Sequence, residues 1–225
     1  MSTVPGDELV TVVVPVFNGA RYLDDALRSV LDQDHQPVEV IVVDDGSTDD
    51  TPAVAARYAG VRYLRQANAG PSSARNAGIA VAGGAYVTFC DADDRFRPTK
   101  VSAQLRYLRE HPDVDCVLVG HQTFTEAGVP LPAWEREEAG YQPQSAMVRR
   151  ATLDRVGGFD PGFRFGEGME WLGRLRAAGA VVAVLGEVHV DRRIHADNLS
   201  HQRGAMQHGL LAAMRRRLDG AREAG

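Results

Sequence analysis

Three carboxylates fall within four positions in VTFCDADDRFRP, residues 87–98. Asp91 and Asp93 are two apart and follow a run of β-favouring residues. At the end of an extended segment, side chains at that spacing share a face. Two carboxylates held so close repel one another unless a cation lies between them. Hard oxygen ligands suit Mg2+ or Mn2+, and Mg2+ is usually held by one or two carboxylates together with substrate phosphates. The pattern therefore reads as half of a metal site, completed by a phosphorylated ligand. The plain alternative is a solvated acidic loop that caps the next helix.

Other chemistries fit less well. Phosphatases of the haloacid-dehalogenase type also carry an aspartate pair after a strand. Their nucleophile follows the first strand, and a threonine or valine stands two positions after the second aspartate. Here the first strand ends in PVFN, and Arg95 occupies that slot. A dinucleotide-binding domain needs GxGxxG after its first strand, whereas residues 14–23 read VPVFNGARYL. No GxxxxGK[ST] loop occurs. Cys90 and Cys116 both sit in apolar, strand-like runs and read as buried thiols, not as a disulfide or a metal cluster.

The elements that must place these carboxylates are legible in outline. Val10 to Phe17 and Val38 to Val43 are short β-branched runs, expected as buried strands, with Pro15 at the exit of the first. Leu23, Ala26, Leu27, Val30 and Leu31 repeat at helical spacing. A short helix is expected over Thr51 to Tyr58, a strand over Val61 to Leu64 and a helix in PSSARNAGIAVAGG. A strand over Tyr86 to Cys90 and a helix carrying Val101, Leu105 and Leu108 follow. Strand and helix thus alternate, which implies an open, mostly parallel twisted sheet with helices on both faces. In such sheets ligands bind beyond the carboxyl ends of the strands. Those ends carry FN, DDGS and DADD, and the three clusters should converge on one crevice. Further on, Val114 to Val119 and Val188 to Ile194 read as strands and residues 126–144 as a loop. Leu172 and Leu175 mark a helix. Met206, Leu210, Met214 and Leu218 mark a C-terminal helix whose apolar stripe would bury in the fold or in a homodimer.

With 225 residues, the chain can bury a substantial core as one domain. The formal net charge of −5 argues against a nucleic-acid partner. No apolar run reaches membrane-spanning length, and MSTVPGDE lacks a signal pattern, so a cytoplasmic location is expected.

Taken together, several spaced segments make the chain resemble family 2 glycosyltransferases of the GT-A fold. They are VVVPVFNGARYLDDALRSVLDQ, VEVIVVDDGSTDDT, NAGPSSARNAGIAVAGGAYVTFCDADD, GGFDPGFRFGEGMEWLGRL and RRIHADNLS. The resemblance covers most of residues 10–201. It implies a single GT-A domain over 1–225, with a nucleotide-sugar-binding half at 1–100, an acceptor and catalytic half at 101–200 and a C-terminal helix at 201–225. It implies an inverting transferase of hexosyl type, dependent on Mn2+ or Mg2+, that takes a UDP-linked donor. The acceptor, a small molecule, a peptide or a lipid head group, is left open. By the same resemblance Pro15, Phe17 and Asn18 line the base end of the donor site, and Asp45 accepts from the uracil imide. Arg75 and Asn76 meet the base or diphosphate. Asp91 and Ala92 meet the donor, while Asp93, Asp91 and His195 hold the metal. Asp94 is expected to cap the helix that Pro98 opens.

One position departs from the family pattern. Inverting members carry a Glu-Asp pair, with a further acidic residue two positions on, and its aspartate is often the base. This chain reads Glu167-Gly168-Met169-Glu170. Glu167 is the expected base and Glu170 the second candidate. A nucleotide-sugar-binding protein with weak or no transferase activity is the alternative that Gly168 keeps open.

Overall fold

A run such as VTVVVPV has no polar face to offer water, so it must be covered on both sides. That is its state in the computed structural model, which describes residues 8–131, 142–163, 166–196 and 198. Strand β1 (Val10–Val16) is buried along its whole length. Val12 and Val14 pack on one face against Leu23, Ala26, Leu27 and Val30 of α1 (Leu23–Leu31) and Val54 of α2 (Thr51–Ala55). Val13 packs on the other face with Ala74 of α3 (Pro71–Val81) and Trp171, Leu172 and Leu175 of α6 (Glu167–Ala177).

The remaining elements are β2 (Val38–Asp44), β3 (Val61–Arg65), β4 (Tyr86–Phe89), β5 (Arg95–Phe96), α4 (Lys100–Glu110), β6 (Cys116–Thr125), β7 (Ala146–Arg149), α5 (Arg150–Val156) and β8 (Val182–Ile194). A 3-10 turn, Pro143–Ser145, leads into β7. One eight-stranded sheet has the order β3-β2-β1-β4-β7-β6-β8-β5. β3, β2, β1 and β4 are parallel. β7 runs antiparallel to both β4 and β6, so β6 again points the same way as β4. β8 is parallel to β6, and the two-residue β5 is antiparallel to β8. The carboxyl ends of β1, β2, β4, β6 and β8 therefore open on one edge.

Pro15 is tolerated inside β1 for a specific reason. Val13 O accepts the Cys90 amide on the β4 side, and the β1–β4 ladder ends at Val13 paired with Phe89. Two residues on, the amide that proline lacks would face the same side beyond that ladder's end, while pairing with β2 continues to Val16. Gly78 lets α3 lie close on β1: a Cβ there would sit 2.3 Å from Val13 Cγ1. That approach sets the depth of Arg75, one turn earlier on the same helix.

The first half matches the sequence expectation within a few residues, and the second half corrects it. α2 ends at Ala55, not Tyr58. β6 runs on from Val119 to Thr125, and β8 starts at Val182, not Val188. Backbone pairing of Gly120–Thr125 with Val188–Ile194 carries β6 on through polar residues, while Val182–Val184 pairs with Cys116–Leu118 and starts β8 earlier, in an apolar run. β7 and α5 lie where the sequence reads as loop or as nothing definite. The C-terminal helix expected from Met206 to Leu218, with its dimer option, lies outside the described residues, as does 132–141 of the expected loop. Among the described residues no helix is long and apolar enough to cross a membrane.

One side chain in the core is out of character. Lys100, at the start of α4, is 0% exposed. Its ammonium donates to Thr88 Oγ1 and Gln104 Oε1, each at 2.8 Å, and lies 4.0 Å from the Phe96 ring centroid. Burial pulls its pKa down to about 7. The titratable groups that act on it are the thiols of Cys90 and Cys116, both pushed up by burial, the second to about 12. Between pH 7 and the ordinary lysine value, the unfolded chain holds one more proton here than the folded one. Raising the pH through that window therefore favours the folded state, whereas below pH 7 both states are protonated and the dependence vanishes. From pH 7 to 8.5, denaturant titrations should show wild type gaining on Lys100→Met by up to about 1.4 kcal/mol per pH unit.

Candidate active site

β1 and β2 deliver their polar ends side by side. Phe17, the first residue past β1, is 52% exposed, an aromatic face left open to the crevice edge. Asn18 turns the chain with φ of +51°, a left-handed conformation that asparagine tolerates. Its amide N–H donates to Ser47 Oγ at 2.9 Å, and its side-chain oxygen accepts the Thr48 amide at 2.8 Å. Ala20 N–H donates to Asp49 Oδ2 and Gly19 N–H to Thr51 Oγ1. The FN and DDGSTDDT segments are thus one cross-linked unit.

The two aspartates of DDGS divide the work. Asp44 is fully buried and accepts from the Ser47 amide at 2.7 Å and from the Tyr63 hydroxyl. Burial opposes its ionisation, but the Ser47 and Tyr63 hydrogen bonds more than offset this and hold it below its usual value. Burial and Asp44 together push the Tyr63 hydroxyl up to about 12. Asp45 points the other way along the loop. It accepts from Gln66 Nε2 at 2.7 Å and from the Ala69 and Gly70 amides at 2.8 Å, which fixes the chain entering α3.

Arg75 is the centre of the site. Its side chain is 4% exposed, and its two terminal nitrogens reach different carboxylates: Nη2 to Asp91 Oδ1 at 2.7 Å and Nη1 to Glu167 Oε1 at 3.0 Å. Burial works against the charge, but Asp91 and Glu167 outweigh it and raise the pKa further. Its Nε has no partner among the described residues. The guanidinium lies 5.4 Å from the Phe159 ring centroid. The neighbouring Asn76 holds Phe159 in place by a two-point amide bond, Nδ2 to Phe159 O at 2.7 Å and Phe159 N to Oδ1 at 2.8 Å. Asn76, expected on the donor, thus has its amide engaged with the protein backbone.

The DADD segment spreads its carboxylates in three directions. Asp91 faces Arg75. Asp93 Oδ2 lies 3.1 Å from His195 Nε2 and accepts from Asn198 Nδ2 at 3.0 Å. His195 is buried, and its ring stacks obliquely on Tyr22 with centroids 4.5 Å apart. Ala92 packs beside Gly19, where a glycine Cβ would come within 3.6 Å of its methyl group. Asp94 does not cap the helix that follows. It turns inward, 2% exposed, and accepts from the Arg193 amide at 2.9 Å and from Gln144 Nε2 at 3.0 Å. Burial, then the Asp93 and Asp91 charges, push it well above the usual carboxylate range.

The α6 glutamates take different roles. Glu167 opens the helix and faces Arg75. Glu170 is held on Arg174 by bonds of 2.6 and 3.1 Å. Arg174 is itself bonded to the carbonyls of Val156 and Gly158. Gly168 is buried between them. The structure therefore brings together Asp91, Arg75 and Glu167 in one group, Asp93, His195 and Asn198 in a second and Phe17, Asn18 and Asp45 in a third. Gln66, Tyr22, Gln144 and Phe159 also shape the site, and no sequence pattern singles them out.

A divalent cation would find a carboxylate and an imidazole at Asp93 and His195, a donor pair that suits Mn2+. Among the described residues no three His, Cys, Asp or Glu side chains cluster tightly enough to enclose an ion. A cation there would need further oxygens from a ligand.

Removing the guanidinium leaves two carboxylates facing one another. Arg75→Met should cost about 2–4 kcal/mol in a denaturant titration. Arg75→Lys should recover only part of this, because an ammonium is a point charge that cannot span both partners as the planar fork does.

The family model "Glycosyl transferase family 2" matches residues 11–166. An uncharacterised glycosyltransferase of Rickettsia conorii is 38% identical over 108 residues, which is 47% of this chain and 18% of that protein. Glycosyltransferase GlyG of Streptococcus pneumoniae is 35% identical over 125 residues, 53% of this chain and 41% of that protein. The chain therefore spans less than half of either relative. Among solved structures, TarS of S. aureus, in a complex with UDP-GlcNAc, superposes with a TM-score of 0.74 at 23% identity, covering 86% of this chain and 60% of that one. The mannosyltransferase PcManGT of Pyrobaculum calidifontis, in a complex with GDP-Man and Mn2+, gives 0.77 at 19% identity, covering 93% and 64%. At these identities the likeness shows the fold, and that fold is GT-A.

Proposed function

The chain belongs to glycosyltransferase family 2, and from that premise we propose that it moves a sugar from a nucleotide-diphospho-sugar to an acceptor hydroxyl with inversion. The observation that carries the reading is the buried Arg75, which holds Asp91 and Glu167 on either side of one guanidinium. One guanidinium thereby links the carboxylate we assign to the donor side with the one we assign to the acceptor side. Two of the solved neighbours hold nucleotide-sugars, UDP-GlcNAc in one and GDP-Man with Mn2+ in the other. They support a nucleotide-sugar donor, and we take UDP as the carrier.

In this reading Phe17 stacks on the base and Asp45 accepts from its imide. Pro15 and Asn18 shape the loop beneath it. Asp91 and the backbone at Ala92 meet the ribose and sugar. Arg75 holds Asp91 beside the donor, and Asn76 acts one step back by holding Phe159 under that guanidinium. Asp93 and His195 would hold Mn2+ or Mg2+, with the donor diphosphate completing the coordination. When bound, the ion would neutralise charge on the departing diphosphate. Glu167 takes the acceptor's proton as its oxygen attacks the anomeric carbon from the face opposite the diphosphate, which leaves with the electron pair. Arg75 holds Glu167 in place by its Nη1 bond of 3.0 Å. Glu170 fits that role less well, because both its oxygens are bound to Arg174.

Gly168 favours the alternative of a binder with weak transfer, and slow donor hydrolysis without acceptor would separate the two. Calorimetry with UDP, GDP and dTDP, with and without Mn2+, tests the donor reading. One diphosphate should bind in a metal-dependent way, and Asp93→Ala should lose that dependence. No binding by any of the three would overturn the proposal. For the base, Glu167→Gln should lower transfer by about 10²-fold or more while donor affinity stays within a few-fold. Full transfer by that variant would remove Glu167 from the role.

A further inference from the structure

Lys100 is an expensive way to fill a core position. Its 0% exposure costs the ammonium its hydration, and methionine would occupy similar volume without that cost. The partners explain what the charge does there. Nζ donates to Thr88 Oγ1, and Thr88 in turn donates to Ala146 O at 2.6 Å. Nζ also donates to Gln104 Oε1, whose Nε2 reaches Val117 O and Ser145 O, each at 2.9 Å. One ammonium thus ties β4 to the antiparallel strand β7 and to β6. Both arms end at the aspartate loop. Thr88 stands three residues before Asp91. Ser145 is next to Gln144, whose amide holds Asp94 Oδ2 at 3.0 Å.

We infer that Lys100 is a positioning residue for the aspartate loop: its buried ammonium fixes the β4–β7 seam from which Asp91, Asp93 and Asp94 project. It touches neither donor nor metal in this reading. The inference rests on the proposed donor site only for its second readout.

Amide hydrogen exchange of wild type and Lys100→Met at one pH is the first readout. Residues 88–94 and 143–149 should exchange about tenfold faster in the variant, the loss of roughly one buried hydrogen bond, with β2 and β3 unchanged. A uniform change over the sheet, or none, overturns the inference, since a residue that merely fills the core would loosen the sheet as a whole. Thr88→Val removes only the hydroxyl that relays one arm, and should show the same local pattern more weakly. If Lys100→Met does not fold, Thr88→Val decides: local loosening supports the inference, and unaltered exchange overturns it. The second readout is Mn2+-dependent UDP binding, which should weaken about tenfold in Lys100→Met. A folded variant that binds UDP as wild type does overturns the inference. Failure of wild type to bind any nucleotide sinks the donor reading instead, and leaves hydrogen exchange to decide on Lys100.

Discussion

The rest of the site depends on one buried cation. Arg75 lies inside the protein with a carboxylate on each side, and the three groups come from three separate parts of the chain. Asp91 follows β4, Arg75 sits in the second turn of α3 and Glu167 opens α6. A guanidinium buried this deeply draws on both partners, because its five N–H donors point in several directions and one carboxylate cannot meet them all. The packing that places it is equally specific. α3 approaches β1 closely only because residue 78 has no side chain. Phe159 closes over the guanidinium because Asn76 grips its backbone at two points. Phe159 also packs against Trp171, one turn beyond Glu167 on α6, with ring centroids 4.8 Å apart. The ion pair and the aromatic cluster thus locate the same helix twice.

Around that centre the loops are held by side chains whose own polarity is satisfied within the protein. Asp45, Asn18 and Asp49 each bond to backbone amides of a neighbouring loop, and Asp44 to an amide of its own loop. Loops built this way need no ligand to define them, so in the proposed reading Phe17 and Asp45 stand in place before a donor arrives. Preorganisation of this kind lowers the ordering cost of binding. The Asp93 corner is built differently. Its carboxylate faces a histidine and an asparagine from the far end of β8, and Arg193 adds bonds to Asp93 O and to Asp25. The metal-candidate corner is therefore stitched to α1 and β8, not to the base end of the crevice.

How much of this was legible in the sequence depends on the type of signal. β1, β2, α1 and β4 announce themselves, because strands buried on both faces read as unbroken β-branched runs and α1 repeats its apolar residues at helical spacing. The convergence of FN, DDGS and DADD follows from strand direction alone. β7 and the extra length of β6 do not show, because what defines them is pairing with distant strands, whereas the added start of β8 is the apolar run VAVL, which carries a strand signal of its own. AMVR is too short to carry a period, and HQTFT is polar. Residue roles are harder still. Asp94 and Asp93 are identical neighbours in an acidic run, and only the tertiary environment sends one to the core and the other to His195. Lys100 resembles any helix-starting lysine until its burial is known. The partnership of Arg75 with both Asp91 and Glu167 spans 92 residues, and no local pattern records it.

The glycine at position 168 acquires its meaning from this geometry. Position 168 is a buried glycine next to Glu167, where the family pattern has an aspartate. With glycine at 168, Arg75 has two carboxylate partners, Asp91 and Glu167. Glu170 is held by Arg174, which also bonds the loop carbonyls of Val156 and Gly158. In the proposed reading the base role on α6 falls to Glu167, which is tied to the same guanidinium as Asp91. Whatever moves Arg75 on donor binding must move Glu167 with it. Donor recognition and acceptor activation would then share one ion pair, an economy that the usual Glu-Asp arrangement, with a separate aspartate base, does not require.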